Sequence, residues 1–240
     1  MLNKHIYILV FIFVILWQQG FAQRYSSDGT PKNLQRYDVN PYHFGFTLGF
    51  NQMDFVVKKV SNYRSIDSLH VLESSPGSGF NIGIVSNLRL GMFWDLRFIP
   101  SLYFGQRQLN YTYVKKDKTM TDVKTIESNL LDFPLLFKYK SARMTNTRVY
   151  VIGGVAYTLD LASLSKKKSA INEVLVKLNR DDFTYQIGVG FDFYLTYFKF
   201  STELKMEFGT KNLIKKEDNF YNNPIDKLNS KMMILSFTFE

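Results

Sequence analysis

Proton-transfer chemistry near neutral pH falls first to histidine, and this chain of 240 residues has three histidines and no cysteine. His5 lies in the N-terminal leader sequence, which leaves His43 and His70. His43 precedes an alternating run at the base of a strand, and His70 falls in a polar stretch that reads as a loop. Neither shares a height with a serine and an acid, so no nucleophile–base–acid grouping assembles and no catalytic residue is assigned. The lack of cysteine removes disulfides and thiolate metal sites. No metal or cofactor is implied.

The second candidate chemistry is ionic. In FKFSTELKMEFG (Phe198 to Gly209), Phe198, Phe200, Leu204, Met206 and Phe208 share one parity, and Lys199, Glu203, Lys205 and Glu207 share the other. Such alternation is a β-strand with an apolar face and an ionic face. Asp95, Arg97, Arg107, Asp132, Lys138 and Asp192 occupy the polar parity of other alternating runs. Together these ten residues are expected to form one ionic network, whose place depends on which face of the sheet is the interior.

The elements that must position them begin after an export signal. Lys4 and His5 precede the apolar run IYILVFIFVILW, followed by QQGFAQ with Gly20 and Ala22 at the −3 and −1 positions of a signal-peptidase site. Cleavage is expected after Ala22, giving a signal peptide over 1–22. Twelve apolar residues fall short of the ~20 that a spanning helix needs. The chain carries 30 Lys and Arg against 21 Asp and Glu, so losing Lys4 leaves 29 − 21 = +8. An exported protein is not expected to meet nucleic acid, despite this charge. Residues 23–41 are polar and aperiodic, a flexible periplasmic leader, and 42–240 form a single domain.

Within that domain eight alternating runs start near Phe44, Ser78, Trp94, Asn129, Arg148, Phe183, Phe198 and Met232. Long connections (about Asp54 to Pro76, Lys115 to Lys124, Asp160 to Asp181, Thr210 to Asn229) alternate with short ones near Arg89–Gly91, Ala142–Thr147 and Leu195–Tyr197. The expected fold is an all-β, eight-stranded antiparallel up-and-down transmembrane barrel with long external loops and short periplasmic turns. Pro100 and Pro134 interrupt the third and fourth runs, where β-bulges or local bends are expected.

Side-chain size decides which face is inside. The polar parity is rich in Gly, Ser and Thr, whereas the apolar parity is mostly large. An eight-stranded lumen has room only for its own side chains, so a phenylalanine-rich interior would be overfilled. The ionic set is therefore expected inside. Phe44, Phe46, Leu96, Phe98, Phe104, Phe133, Phe137, Phe183, Ile187, Phe191, Phe198, Phe200, Leu204, Phe208, Phe237 and Phe239 are expected to face lipid, placing the chain in the cell outer membrane. Trp94 and Tyr139 at one end, Tyr157 and Tyr185 at the other, suit interfacial girdles.

The runs LRFIPSLYFGQR (Leu96 to Arg107), NLLDFPLLFKYKSAR (Asn129 to Arg143) and VYVIGGVAYTLDLAS (Val149 to Ser163) resemble the PorT family, small outer-membrane barrels of Bacteroidota named for a component of the type IX (Por) secretion system. The resemblance spans essentially the mature chain. It implies an accessory component of protein secretion whose partners are other secretion-system proteins, with a larger barrel as the conduit. The narrow lumen fits a membrane anchor or docking module rather than a pore or a catalyst. Two alternatives stand beside it. Lys115, Lys116, Lys166, Lys167 and Lys168, with Lys118, Lys215 and Lys216, fall in expected external loops and could contact lipopolysaccharide phosphates in an envelope-stabilising role. A lipid-modifying enzyme, centred on His70, is the least favoured.

Overall fold

A computed structural model describes residues 31–60, 69–115, 118–162, 178–215 and 223–240. The segment expected to be a signal peptide, and the first part of the expected leader, lie outside them. The body Lys32–Glu240 contains ten strands among the described residues: β1 (Tyr42–Lys59), β2 (Leu69–Ser75), β3 (Gly77–Arg89), β4 (Trp94–Phe98), β5 (Ser101–Lys115), β6 (Lys118–Lys140), β7 (Thr147–Asp160), β8 (Asp181–Tyr194), β9 (Lys199–Gly209) and β10 (Ile225–Phe239). β2 and β3 are one stave interrupted at Pro76, and β4 and β5 are another interrupted at Ile99–Pro100, so ten strands make eight staves. Every pairing is antiparallel. β1 bonds to β10 on one edge (Phe46↔Phe239) and to β3 on the other (Phe46↔Ile84), which closes the barrel. Closure leaves no open edge in the spanning part, which lipid requires because it offers backbone groups no partner.

Of the bulges or local bends expected at the prolines no bulge is found: the strand is interrupted at Ile99–Pro100 without a change of register, and β6 runs through Pro134. Phe98↔Leu135 and Ser101↔Asp132 keep one register across the β4–β5 break, and β6 pairs with β7 straight through Pro134↔Ala156. The Ile84 amide still donates to the Pro100 carbonyl at 3.0 Å, and the Ile99 amide to the Pro134 carbonyl at 3.4 Å. Each proline withholds only the return bond of its pair. The Ile99 carbonyl that Pro134 cannot serve accepts instead from the Ser101 hydroxyl at 2.9 Å. One missing donor is replaced locally, so the register need not shift.

Two expected loops are strand instead. Asp54–Lys59 continues β1 and pairs with β10, while Leu69–Ser75 forms β2 on β5. Of the expected Lys115–Lys124 loop, Lys118–Lys124 belongs to β6, which pairs with β5 as far as Lys115↔Lys118. The alternation in these segments is real but has changed sign. Along β5 the outward residues run Leu102, Phe104, then Gln106, Gln108, Asn110 and Thr112. The inward residues run Ser101, Tyr103, Gly105, Arg107, then Leu109 and Tyr111. β6 repeats the switch, with Tyr139, Phe137, Leu135, Phe133 and Leu131 outward below Asn129, Glu127 and Thr125.

The structure therefore has two levels. An apolar belt runs from Phe183 to Phe193 on β8 and from Leu131 to Tyr139 on β6. At ~3.3 Å per residue and a tilt near 45°, those lengths give roughly 20–26 Å of height, matching the apolar band of an outer-membrane barrel. Beyond it, at the end away from the short turns, the upper parts of β1, β2, β5, β6 and β10 form a crown. The core of the crown is Phe55, Leu72, Leu109, Tyr111, Ile126, Leu213, Ile214, Ile225 and Leu228.

Candidate functional site

Asp95, Arg97, Arg107, Asp132, Lys138, Asp192, Lys199, Glu203, Lys205 and Glu207 are all buried in the lumen. They divide into two groups. Towards the short turns, the Arg97 guanidinium bridges Glu203 at 3.1 Å and Glu240 at 2.6 Å. Lys138 pairs with Asp192 at 2.8 Å and lies 3.6 Å from the centroid of the Tyr150 ring. The Tyr150 hydroxyl donates to Glu203 at 2.9 Å, and Lys205 reaches the other Glu203 oxygen at 3.1 Å. Ser201 donates to Asp192 at 2.6 Å, Lys140 pairs with Asp95 at 2.6 Å, and Lys199 pairs with Glu240. Desolvating these ions is costly, and each is offset by a direct partner.

Small residues make room for this group. Tyr150 stands opposite Gly190, and a Cβ at Gly190 would lie 2.3 Å from the Tyr150 ring. Glycine there lets a ring cross the lumen, which weakens a strand by itself but allows the close approach.

A strap closes the short-turn mouth. Residues 32–41, expected to be flexible, include a 3-10 turn at Gln35–Asp38 that is tied into the barrel. The Tyr37 ring stacks on His43 at 3.7 Å, and its hydroxyl donates to Glu240 at 2.5 Å and accepts from Lys199 at 2.7 Å. Asp38 pairs with Arg143 and Arg148, each at 3.0 Å. The Asn33 amide donates to Asn146 at 2.9 Å, its side chain to the Tyr194 carbonyl at 3.0 Å, and Arg143 donates to the Asn33 carbonyl. The polar composition that suggested a mobile leader supplies the groups that dock it.

The group nearer the crown is arranged differently. Asp132 accepts from Thr158 at 2.7 Å and from the Gln186 amide at 3.0 Å, and the same amide nitrogen donates to Glu207 at 3.0 Å. Arg107 is held by hydroxyls, with Ser128 at 2.7 Å and Ser230 at 3.2 Å, and lies 4.1 Å from the Phe55 ring centroid. It marks the floor of the crown's apolar core. A small pocket of about 20 Å³ opens beside it, lined by Asp160, Asp182, Thr184 and Glu207 among others. Among the described residues no group of three or more Asp, Glu or His side chains is placed to hold a metal ion.

On the outer face, Phe44, Phe46, Phe98, Phe137, Phe183, Ile187, Phe191, Phe198 and Leu204 are exposed. Leu96, Phe104, Phe133, Phe200, Phe208, Phe237 and Phe239 are half-buried. Aromatic neighbours shield several of these, as in Phe46–Phe239 at 5.0 Å, Phe80–Phe104 at 4.9 Å and Tyr185–Phe208 at 5.2 Å. Lys118 is exposed, whereas Lys116, Lys166, Lys167, Lys168 and Lys216 and the side chains of Lys115 and His70 lie outside the described residues. His43 bonds through Nε2 to the Tyr37 carbonyl at 2.8 Å, a structural role.

Sequence reasoning passed over Glu240, Tyr37, Asp38, Arg148 and Tyr150. Parity could have found Glu240, which continues the inward series Ser236 and Thr238, and Tyr150, which stands two residues from Arg148 and Ile152. Nothing periodic marks Tyr37 or Asp38.

An apolar belt around an ionic lumen, in a closed antiparallel barrel, is the pattern of a protein that spans a membrane with strands. Residues 21–215 match the family model described as an outer membrane protein beta-barrel domain. The chain belongs to that family. Its barrel is accordingly an outer-membrane barrel. It is similar to solved structures of Neisserial surface protein A (10% identity, 83% of this chain and 98% of that one, TM-score 0.42), OprG from Pseudomonas aeruginosa (15%, 83% and 96%, 0.42) and Ail of Yersinia pestis (11%, 83% and 98%, 0.35). No curated protein matches the chain.

Proposed function

We propose that this outer-membrane barrel is a non-conducting anchor and docking module, an accessory component of a type IX-like protein secretion system. The observation that carries the anchor reading is the sealed lumen. Arg97 is fully buried between Glu203 and Glu240, and Tyr37 of the strap sits on the same carboxylate. A lumen crossed by direct ion pairs has no water column for ions and no room for a chain. The belt fixes the barrel in lipid, and the strap, the turns and the tall β5–β6 hairpin remain for partners. The secretion role rests on the PorT-like runs over Leu96–Arg107, Asn129–Arg143 and Val149–Ser163. Two measurements test the pair of claims. The full-length protein in planar bilayers should show no stepwise conductance, and steady channels would end the anchor reading. A deletion strain should retain type IX cargo in the cell, and normal secretion would end the secretion role while leaving the anchor intact.

A second reading, contact with lipopolysaccharide, is favoured by strand-borne lysines rather than the loop lysines. Lys58, Lys227 and Lys231 sit on the outward face of β1 and β10 just beyond the belt, and the Lys58 side chain is 68% exposed. Charge removal at all three should weaken co-purification of lipopolysaccharide.

A further inference from the structure

Above the belt one strand edge is left open. β6 pairs with β5 from Asp132 up to Lys118, but its ladder to β7 stops at Leu130↔Asp160. Alternate residues of a strand direct their backbone groups to opposite neighbours. The even-numbered Pro134 offers its carbonyl to the Ile99 amide on the β5 side, and the odd-numbered Asn129 accepts the Leu161 amide on the other. Register is unbroken from there to the tip. Thr119, Thr121, Val123, Thr125 and Glu127 therefore aim N–H and C=O at the open side. None of these groups has a backbone partner among the described residues. A free edge of that length is a template for another strand.

The side chains along this edge are self-complementary. Read outward from Val123, the flanking pairs are Asp122 and Lys124, Thr121 and Thr125, Met120 and Ile126. Two copies laid antiparallel about Val123 set each of these residues against the other member of its pair, twice over. Opposite charges, paired threonines and apolar pairs all favour a match across strands, and this register brings no like charges face to face. Thr121, Val123 and Thr125 are exposed on the outer face. On the other face Asp122 and Lys124 lie 3.2 Å apart within one chain, and each side chain is 30% exposed. Both charges stay within reach of a second copy.

We propose that this edge is a homophilic docking strand, which pairs antiparallel with the β6 edge of a second copy about a two-fold axis at Val123. Strand direction fixes how the copies meet. β6 runs from the crown towards the short turns, so it points the same way in every copy held in one membrane. Side by side, those edges do not run antiparallel, and the match is lost. The second copy therefore arrives crown first, from a facing membrane. A single strand pair is far smaller than the interface of a stable dimer, so each contact is weak and many act together. The contact is independent of the secretion role.

The test is vesicle clustering. Phosphatidylcholine vesicles that each carry many copies of the full-length protein should cluster, read as turbidity, while protein-free vesicles stay dispersed. Val123→Pro removes an amide that faces the open side and leaves the β5 ladder whole, so clustering should be lost from a folded barrel. Asp122→Lys should abolish it too, by setting lysine against Lys124, and adding Lys124→Asp should restore it. That charge swap keeps the test open if the proline variant fails to fold. The chain has no cysteine of its own, so Val123→Cys should link two copies on mild oxidation. Thr121→Cys should not, because only residue 123 meets itself. No clustering by the parent overturns the proposal. Clustering that survives Val123→Pro, or that the charge swap fails to restore, also overturns it and places the contact elsewhere. Slow amide exchange at Thr121, Val123 and Thr125 in dispersed protein overturns it as well, since the edge is then covered within the chain.

Discussion

The belt and the crown are made by the same strands with opposite sidedness. Within the belt β5 turns Leu102 and Phe104 outward and Tyr103 and Arg107 inward; further along the same strand, Leu109 and Tyr111 are inward and Asn110 and Thr112 outward. Solvent explains the reversal. Where lipid surrounds the barrel, apolar groups gain nothing by turning inward, and the narrow lumen fills with paired ions. Where water surrounds it, the hydrophobic effect returns and the interior becomes a core of leucine, isoleucine and aromatics. The two levels should therefore answer different substitutions, and the contrast can be broken at either.

The largest effect is expected at Arg97. Arg97→Ala leaves Glu203 and Glu240 buried with a lost partner each, at a cost of about 3–5 kcal/mol in urea unfolding from lipid vesicles. Combining it with Glu203→Gln and Glu240→Gln should recover part of the loss, because the penalty lies in the uncompensated charge. A triple variant no better than the single one would place the cost in lost packing instead.

Leu109→Ala tests the crown on its own terms. Leu109 is fully buried beside Leu72 and Tyr111, so the cavity should cost about 2–5 kcal/mol and accelerate amide exchange in the upper part of the β5–β6 hairpin. Exchange in the belt should be unchanged, and equal acceleration there would mean that the levels unfold as one. Arginine scanning of the outer face then separates them directly. Leu204→Arg, in the middle of the β9 belt, should cost about 2–4 kcal/mol in lipid, whereas Thr112→Arg on the crown should fall within about 0.5 kcal/mol of the parent. Comparable losses would erase the boundary drawn between Phe104 and Gln106.

The barrel was legible in the sequence because alternation persists for nine to eleven residues per strand, and side-chain size told inside from outside. The crown was not. Its segments alternate too, but the apolar parity moves from even residues (Leu102, Phe104) to odd ones (Leu109, Tyr111), and a one-residue phase change reads as the end of a strand. Polar outward residues such as Gln106, Gln108 and Asn110 then look like loop. The strap was illegible for another reason. Tyr37 and Asp38 owe their positions to Glu240, Lys199, Arg143 and Arg148, all more than a hundred residues away, and no local pattern encodes such a contact.

The smallest expected effect sharpens the belt's defining demand, that each backbone group find a partner without water. Pro134 cannot donate to the Ile99 carbonyl, and the Ser101 hydroxyl takes its place at 2.9 Å. Ser101→Ala should therefore cost about 1 kcal/mol, measured by urea unfolding in vesicles. Restoring the amide donor by Pro134→Ala should make the same serine substitution nearly neutral, since the carbonyl would again be served by its ladder partner. A double-mutant cycle closes this argument. If Ser101→Ala costs the same with proline or alanine at 134, the hydroxyl does not substitute for the missing amide, and the uninterrupted register across the two prolines needs another cause.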